Sequence, residues 1–325
     1  MKAIAVKELV KAYRRPKPEG HWYKRGQYEP FKAIDGVTFE VERGEMVGYL
    51  GPNGAGKSTT IKLLTGVLTP SSGLVNVLGY VPYQQRYEYA YHIGVVFGQR
   101  ELLWWDLPVC DSLELYAEIY ELSREEFKES LELLSEVLGL KDLLHVPVRQ
   151  LSLGQRKRCE FAASLLHKPD IIFMDEPMIA LDVLVKERIR KLIRDVNKHL
   201  GTTIFLTTHD MSDVEELCDR VIILNEGKVV YDGSLSRLKS KYARWKTIEF
   251  EVSRINDRGM LERALASCEV VRSEGANWEV RVPSDAGPIP QIVEGILNSC
   301  SVVDLSVHTS KLELIIADIF RSGAP

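Results

Sequence analysis

A glycine-rich stretch that ends in Lys57 and Ser58 is the strongest chemical signal in this sequence of 325 residues. It fits the pattern G-x-x-x-x-G-K-[ST], in which backbone N–H groups close around phosphate oxygens. The lysine of such a loop holds the β- and γ-phosphates, and the following hydroxyl binds Mg²⁺. The alternative is an ordinary glycine-rich turn before a helix. We predict a phosphate-binding loop made of Gly51, Pro52, Asn53, Gly54, Ala55, Gly56, Lys57, Ser58 and Thr59.

Two adjacent carboxylates, Asp175 and Glu176, follow a short apolar run. A buried strand gains nothing from acids at its end unless a cation or a reaction uses them. Acidic residues also end many strands without such a role, so this prediction depends on the phosphate loop. Together with that loop, the pair predicts Asp175 as a Mg²⁺ ligand and Glu176 as the general base that deprotonates an attacking water.

A third pattern places Ser152 three residues before Gln155, at the start of an apolar helical stretch. This is the spacing of a capping box, and it predicts a helix N-terminus with exposed donors. Taken alone, an ordinary capped helix explains the pattern, because capping boxes are common.

The elements that position these residues follow an α/β pattern over about the first 240 residues, with apolar runs that suit strands covered on both faces. Residues 57–65 are predicted to form the helix after the phosphate loop. Residues 103–165 are predicted to be an inserted helical subdomain, in which Ser123 and Glu126 cap a helix that ends at Gly139. Strands are predicted at residues 44–50, 93–97, 170–174, 202–207 and 220–224.

Composition excludes several other classes of protein. With 45% hydrophobic and 27% charged residues and a net charge of -4, the chain is predicted to be a soluble, cytosolic protein of about two domains. Its apolar runs are too short to cross a bilayer. Five widely spaced cysteines argue against disulfides and zinc, and the near-balanced charge argues against a nucleic-acid partner.

One local exception to the charge balance lies at residues 11–32, which contain seven Lys or Arg and two Glu. We interpret them as a solvated surface loop or as a loop near anionic lipid headgroups.

The order of the motifs resembles the nucleotide-binding subunit of an ATP-binding cassette (ABC) transporter over residues 1–240. Six motifs carry the resemblance: the phosphate loop, Gln99, residues 151–155, Asp175 with Glu176, Leu181 with Asp182, and Thr208 with His209. The resemblance implies a P-loop NTPase core with ATP and Mg²⁺ as cofactors. It also implies a second ATP-binding subunit paired head to tail, and separate transmembrane permease subunits that hold this chain at the cytoplasmic face of the membrane.

The family's roles transfer to matching positions only. Gln99 corresponds to the glutamine that contacts Mg²⁺ and links the site to the transport partner. Asp182 corresponds to the aspartate of the loop between the two subunits, and His209 to the histidine that contacts the γ-phosphate. Tyr13 is expected to stack on adenine, although residues 16–30 look inserted after it.

Ser152, Gly154 and Gln155 match the family's signature motif, which faces the ATP held by the opposite subunit. Leu153 departs from the usual glycine, and we expect the signature to work because the serine and the second glycine are present. Trp104 and Trp105 follow Gln99 in the region where the family receives a helix of the membrane subunit. Core packing is the alternative for these two tryptophans.

A single cassette followed by a small α+β region resembles the ATPases of ABC-2-type exporters. Beyond residue 245 the predicted order of strands and helices fits a ferredoxin-like module. We therefore expect an ABC ATPase domain at residues 1–240 and a regulatory or dimerisation module at residues 245–325. The apolar face of the strand at residues 247–252 is expected to pack against the same module in a second subunit or against its own cassette.

Two rival functions remain at this stage. A soluble ABC ATPase of DNA repair or translation usually has coiled-coil insertions or tandem cassettes, which this sequence does not show. A nucleotide-binding regulator without turnover is disfavoured because Glu176 and His209 are both present.

Overall fold

The computed structural model describes residues 1–16, 28–97, 101–179, 181–242, 245–283, 288–309 and 312–322. The chain divides into two compact units, Met1–Gly233 and Ser234–Pro325. Each unit has its own sheets and its own buried core. In the described part of the chain, no helix is both long enough and apolar enough to span a bilayer.

The first unit alternates strands with helices, as the sequence predicts. Its strands are β1 (Lys2–Pro16), β2 (Tyr28–Glu42), β3 (Met46–Leu50), β4 (Ser72–Val77), β5 (Ile93–Phe97), β6 (Ile171–Asp175), β7 (Thr203–Thr207), β8 (Arg220–Asn225) and β9 (Lys228–Ser234). Its helices are α1 (Lys57–Leu64), α2 (Arg86–Ala90), α3 (Val109–Ile119), α4 (Arg124–Leu138), α5 (Leu153–Leu165), α6 (Val183–Leu200) and α7 (Met211–Leu217), with a 3-10 turn at Val148–Gln150.

The main sheet has the strand order β5-β6-β7-β3-β8-β9. The pairs β5/β6, β6/β7, β7/β3 and β3/β8 are parallel. A second, antiparallel sheet has the order β2-β1-β4. Because β6, β7 and β3 are parallel neighbours, the segments that follow them emerge at one edge of the sheet. These segments carry the three predicted catalytic motifs.

Aromatic packing anchors the strand before the phosphate loop. The ring of Tyr49 on β3 lies 5.0 Å from that of Phe205 and 5.7 Å from that of Phe39. All three side chains are buried. The Tyr49 hydroxyl also bonds the hydroxyl of Thr60 at 3.1 Å, which joins β3 to α1 on the other side of the loop.

Helix α4 of the helical subdomain begins and ends where the sequence predicts. Ser123 and Glu126 form a reciprocal capping box at the start of α4. Gly139 ends this helix with a left-handed backbone, φ 60°. Arg158 on α5 donates to the carbonyl oxygens of Leu138 and Gly139, at 2.8 and 3.1 Å. The C-terminal end of α4 is therefore capped by α5.

The basic stretch at residues 11–32 is not a loop throughout, so this expectation is wrong at both ends. β1 extends to Pro16 and β2 begins at Tyr28, and these two residues pair. Tyr13 pairs with Phe31 further along the same ladder. The pairing of β1 with β2 extends beyond the part of β1 that pairs with β4, and composition alone does not reveal this. The intervening residues 17–27 lie outside the described residues.

The second unit has the predicted ferredoxin-like order of elements. It consists of α8 (Leu235–Tyr242), β10 (Trp245–Ile255), α9 (Arg258–Ala264), β11 (Glu269–Glu274), β12 (Asn277–Pro283), α10 (Ile289–Ser299), β13 (Cys300–Thr309) and α11 (Leu312–Ser322). Its antiparallel sheet has the order β11-β12-β10-β13, so the two strands nearest the ends of the module are neighbours. This arrangement is the split βαβ topology, and the predicted fold class is confirmed.

The apolar face of β10 is not available to another surface, so the expectation that it packs outside the module is wrong. Ile248, Phe250 and Val252 are buried in one cluster with Leu261 of α9 and Ile292 of α10. The module's own helices cover this face. Alternation along one strand shows that a face is buried, but it does not show which element buries it.

All five cysteines are free thiols. Cys159, Cys218 and Cys300 are buried. Burial raises the pKa of Cys159 and of Cys218 to about 12, so both thiols are protonated at neutral pH. These three cysteines act as small packing residues.

His167, just beyond α5, joins the helical subdomain to the main sheet. Its Nε2 lies 2.9 Å from the carbonyl oxygen of Ile93, which makes Nε2 the protonated nitrogen. Its ring stacks on Tyr120 with centroids 3.7 Å apart. Burial is the main reason that the pKa of His167 falls from 6.5 to about 4.

This shift predicts a pH dependence of stability. The folded-state pKa lies below the ordinary value, so the unfolded chain binds the proton more readily between pH 6.5 and 4. The stabilisation is present above about pH 6.5 and is lost as the pH falls towards 4, up to about 3 kcal/mol. Urea unfolding at a series of pH values should therefore show a flatter profile for His167→Gln, which keeps an N–H donor for Ile93. Equal slopes for the variant and the parent would contradict the assignment.

Candidate nucleotide-binding and catalytic site

The phosphate loop connects β3 to α1 with a backbone that requires glycine. Gly54 and Gly56 have left-handed φ angles of 84° and 110°. A Cβ atom at Gly56 would lie 2.5 Å from the carbonyl oxygen of Ala33 on β2. The loop therefore turns tightly into the N-terminus of α1, where free N–H groups and the helix dipole favour an anion.

Lys57 lies at the start of α1 with only 6% of its surface exposed. Its ammonium donates to the carbonyl oxygens of Gly51 and Pro52, at 2.7 and 3.2 Å. Burial lowers the pKa of Lys57, and the charges of Glu176 and Asp175 oppose that shift. The structure thus brings both predicted acids to the phosphate loop, although they lie more than a hundred residues away in sequence. Ser58, next to the lysine, is exposed.

Asp175 is held by a residue that the sequence analysis did not identify. The hydroxyl of Thr207, at the end of β7, donates to Asp175 Oδ1 at 2.7 Å. The N–H of Glu176 in turn donates to the carbonyl oxygen of Thr207 at 3.0 Å and to its hydroxyl at 3.2 Å. Thr207 is fully buried. One side chain therefore orients both carboxylate residues.

Glu176 has an unusual backbone for a non-glycine residue. Its φ angle is 52°, in the left-handed region that costs about 1 to 3 kcal/mol for such residues. The two bonds to Thr207 hold it there. Its Oε2 lies 3.4 Å from Nδ1 of His209, and the histidine is largely exposed. A carboxylate in this position can accept a proton, with the imidazole beside it at the open side of the site.

Ion pairs join the helix after Asp182 to the helix after His209. Lys186 on α6 contacts Asp210 at 2.6 Å. Arg190, also on α6, contacts the buried carboxylate of Asp213 at 2.6 Å. The hydroxyl of Thr208 lies 3.2 Å from the same carboxylate. These contacts fix the segment that carries His209. Sequence reasoning missed them because no motif spacing marks a pair between two helices.

The predicted capping box at α5 is present. The N–H of Gln155 donates to Ser152 Oγ at 3.3 Å, and the N–H of Ser152 donates to Gln155 Oε1 at 2.8 Å. Ser152 and Leu153 are both exposed. Leu153 is the first residue of α5 and has a helical backbone, so this position does not require glycine.

Gly154 makes a close contact between two helix starts. A Cβ atom there would lie 3.0 Å from Cγ2 of Val185, in the first turn of α6. That turn is capped by Asp182, whose Oδ1 accepts from the N–H of Val185 at 3.0 Å. Ser152 and Asp182, two of the residues predicted to face the second subunit, therefore begin helices that pack against each other.

Tyr13 lies on β1 opposite Phe31, and both rings are partly exposed. The ammonium of Lys11 lies 5.4 Å from the centre of the Tyr13 ring. Phe31 was not singled out from the sequence, because the inserted residues hide its register with Tyr13. A stacking role for Tyr13 stays a prediction, and Phe31 is the aromatic residue directly across from it.

Trp104 and Trp105 are 41% and 46% exposed, which excludes the core-packing alternative. The ring of Trp104 lies 5.5 Å from that of Tyr116 on α3. The guanidinium of Arg156 lies 5.3 Å from the centre of the Trp105 ring. Gln99, predicted to contact Mg²⁺ and the transport partner, lies outside the described residues.

Comparisons with known proteins identify the family. A family model described as "ABC transporter" matches residues 34–179. The ABC transporter ATP-binding protein NatA of Bacillus subtilis is 36% identical over 207 residues, which are 64% of this chain and 84% of that protein. The linearmycin resistance ATP-binding protein LnrL of the same organism is 30% identical over 292 residues, which are 88% of this chain and 93% of that protein.

One similar solved structure contains the products of ATP hydrolysis. The dimeric ATP-binding cassette MJ0796, in a post-hydrolysis state bound to ADP and Pi, is 26% identical, with a TM-score of 0.62. The match covers 71% of this chain and 98% of that one. The chain thus belongs to the ATP-binding proteins of ABC transporters, and it is an ATPase.

Proposed function

We propose that this ATPase powers an ABC-2-type exporter through separate permease subunits at the cytoplasmic face of the membrane. The observation that carries the coupling to a permease is the exposed pair of Trp104 and Trp105, large aromatic residues of the kind that anchor interfaces. The similarity to a linearmycin resistance protein over 88% of the chain supports an exporter.

In the proposed mechanism the phosphate loop binds the triphosphate of ATP, and Lys57 reaches its β- and γ-phosphates. Ser58 and Asp175, together with Gln99, would hold Mg²⁺, which neutralises phosphate charge when it is bound. Three features fit ATP and Mg²⁺. The glycine turns and the buried lysine suit the phosphates, and the carboxylate that Thr207 fixes suits the metal ion.

Glu176 accepts the proton of the attacking water, and its fixed backbone aims the carboxylate at the site. His209 contacts the γ-phosphate from the open side, 3.4 Å from Glu176. Tyr13 stacks on the adenine base. The phosphoryl group then passes to water, which gives ADP and phosphate.

The second ATP-binding subunit completes each site. Ser152, Gly154 and Gln155 face the ATP of the opposite subunit, and Asp182 lies at the contact between the two. Their positions at two packed helix starts support this arrangement. Residues 1–240 then form the ATPase domain, and the module at residues 245–325 regulates the dimer or contributes to it.

Replacing Trp104 and Trp105 with alanine is expected to separate the subunit from its permease. Each truncated aromatic anchor can cost about 2 kcal/mol or more at an interface. ATP affinity should stay near that of the parent, because the Trp104 ring packs on Tyr116 and the Trp105 ring on Arg156, both outside the phosphate loop. Co-purification with a multi-span membrane protein and ATP binding are measured on the same preparations.

The control is Leu74→Ala, which shortens an exposed apolar side chain on β4. It should leave co-purification unchanged. Suppose instead that the double tryptophan variant retains the membrane protein but loses ATP affinity. The pair then serves the ATPase domain itself and not the permease. If the parent protein brings down no membrane protein at all, a soluble role in DNA repair or translation becomes the better proposal.

A further inference from the structure

The tryptophan segment, residues 101–105, is bound to the signature helix α5 by a set of charged contacts. We infer that Arg156, Lys157 and Glu160 form a positioning unit that makes this segment and Ser152 move together. The use of this positioning unit in transport rests on the proposed function. The link between the tryptophan segment and Ser152 is a property of this chain alone.

Arg156 supplies the first tie, directly after the signature residue Gln155. Its guanidinium lies 3.0 Å from the carboxylate of Glu101 and 5.3 Å from the centre of the Trp105 ring. The Arg156 side chain is mostly buried. One arginine thus contacts both ends of the tryptophan segment, by an ion pair and by a cation–π contact.

Lys157, directly after Arg156, and Glu160, one turn further along α5, supply the second tie. Their side chains are 4% and 1% exposed, and Nζ lies 2.7 Å from Glu160 Oε2. The same ammonium donates to the carbonyl oxygen of Phe97, the last residue of β5, at 3.2 Å. The ion pair therefore spans from the helical subdomain to the strand that leads to Gln99.

A buried ion pair of this kind is weak evidence for stability. Apolar residues of similar volume often hold a core as well or better, whereas removal of one partner leaves a buried charge. Glu160 carries this cost, because burial raises its pKa and Oε1 has no hydrogen-bond partner among the described residues. The contact of Lys157 with the Phe97 carbonyl oxygen, and that of Glu160 with the backbone of Leu102 in the tryptophan segment, explain why charges suit these positions.

α3 holds the same segment from its other side. The hydroxyl of Tyr116 donates to the carbonyl oxygen of Leu102 at 2.7 Å. The Tyr116 ring also contacts Trp104. The segment is thus held between two helices of the subdomain. Ser152, Arg156 and Glu160 lie on consecutive turns of one helix, so a displacement of Trp105 is transmitted to the signature serine.

Fluorescence of Trp105 tests the link in the isolated full-length chain. The reference protein carries Glu176→Gln to prevent turnover, with Trp22, Trp104, Trp245 and Trp278 replaced by phenylalanine. ATP with Mg²⁺ should shift the emission of Trp105 when the signature engages ATP. Arg156→Gln and Glu160→Gln should each abolish this shift while ATP affinity at the phosphate loop stays unchanged. Arg156→Lys, which keeps the charge, should retain part of it.

Arg149→Gln is the matched control, because it removes an exposed ion pair with Asp106 beside the same segment without altering α5. Its shift should equal that of the reference protein. Thermal unfolding monitors folding, and if Glu160→Gln does not fold, Arg156→Gln decides. A reference protein that sediments as an ATP-bound dimer without the shift, or a shift that survives Arg156→Gln, overturns the inference. No permease is present in this experiment, so its outcome is independent of the proposed transport function.

Discussion

Replacing Glu176 with glutamine is expected to abolish ATP turnover while ATP binding is retained. The amide keeps the size of the carboxylate and can still contact His209, but it cannot accept a proton from water. General bases contribute about 10²- to 10⁴-fold to such reactions, so kcat should fall by at least about a hundredfold. Phosphate release measures the loss of turnover. Sedimentation with ATP should show an ATP-bound dimer, because hydrolysis no longer takes place to dissociate it.

Glu226→Gln is the control for the unusual backbone. Glu226 also has a left-handed φ angle, 48°, but it is exposed in the turn between β8 and β9. The same substitution there tests whether a glutamine in this conformation is harmful in itself, and turnover should be unchanged. If Glu176→Gln hydrolyses ATP at nearly the parental rate, Glu176 is not the general base.

The sequence was sufficient to select Lys57, Asp175 and Glu176, which the structure brings together, whereas their chemical roles stay predictions. Lys57 follows a glycine turn and Asp175 ends an apolar run. Such patterns lie within one segment, so they can be recognised without knowing which segments meet in the fold. Thr207 orients both Asp175 and Glu176, so the geometry of the site depends on it as well. It was missed because its contact with Asp175 depends on the register of β6 against β7, which no single segment encodes.

Longer-range packing decided the other differences. The hairpin that brings Phe31 opposite Tyr13 arises from pairing across an insertion. The apolar face of β10 was correctly predicted to be buried, but the helices that bury it follow later in the chain. The contact of Arg156 with Trp105 joins residues 51 positions apart. Each of these outcomes depends on two distant segments at once, and a single sequence does not state how they meet.

Replacing Ser152 with arginine is expected to block the engagement of the opposite ATP. Ser152 is exposed at the N-terminus of α5, where its small hydroxyl leaves room for phosphate oxygens. A long side chain would occupy that space, and kcat should fall at least about a hundredfold, or about 2.7 kcal/mol. Leu153→Gly should be tolerated, because Leu153 is exposed and has an ordinary helical backbone.

Loss of the helix cap must be separated from loss of the signature contact, and the chain offers a matched control. Ser123 caps α4 with the same reciprocal box, formed there with Glu126. Ser123→Arg should cost about 1 kcal/mol of stability, as Ser152→Arg does, but it should leave ATP turnover intact. ATP hydrolysis and urea unfolding of Ser152→Arg, Leu153→Gly and Ser123→Arg together decide the assignment. If Leu153→Gly abolishes hydrolysis and Ser152→Arg spares it, the helix start at Ser152 does not face the ATP of a second subunit.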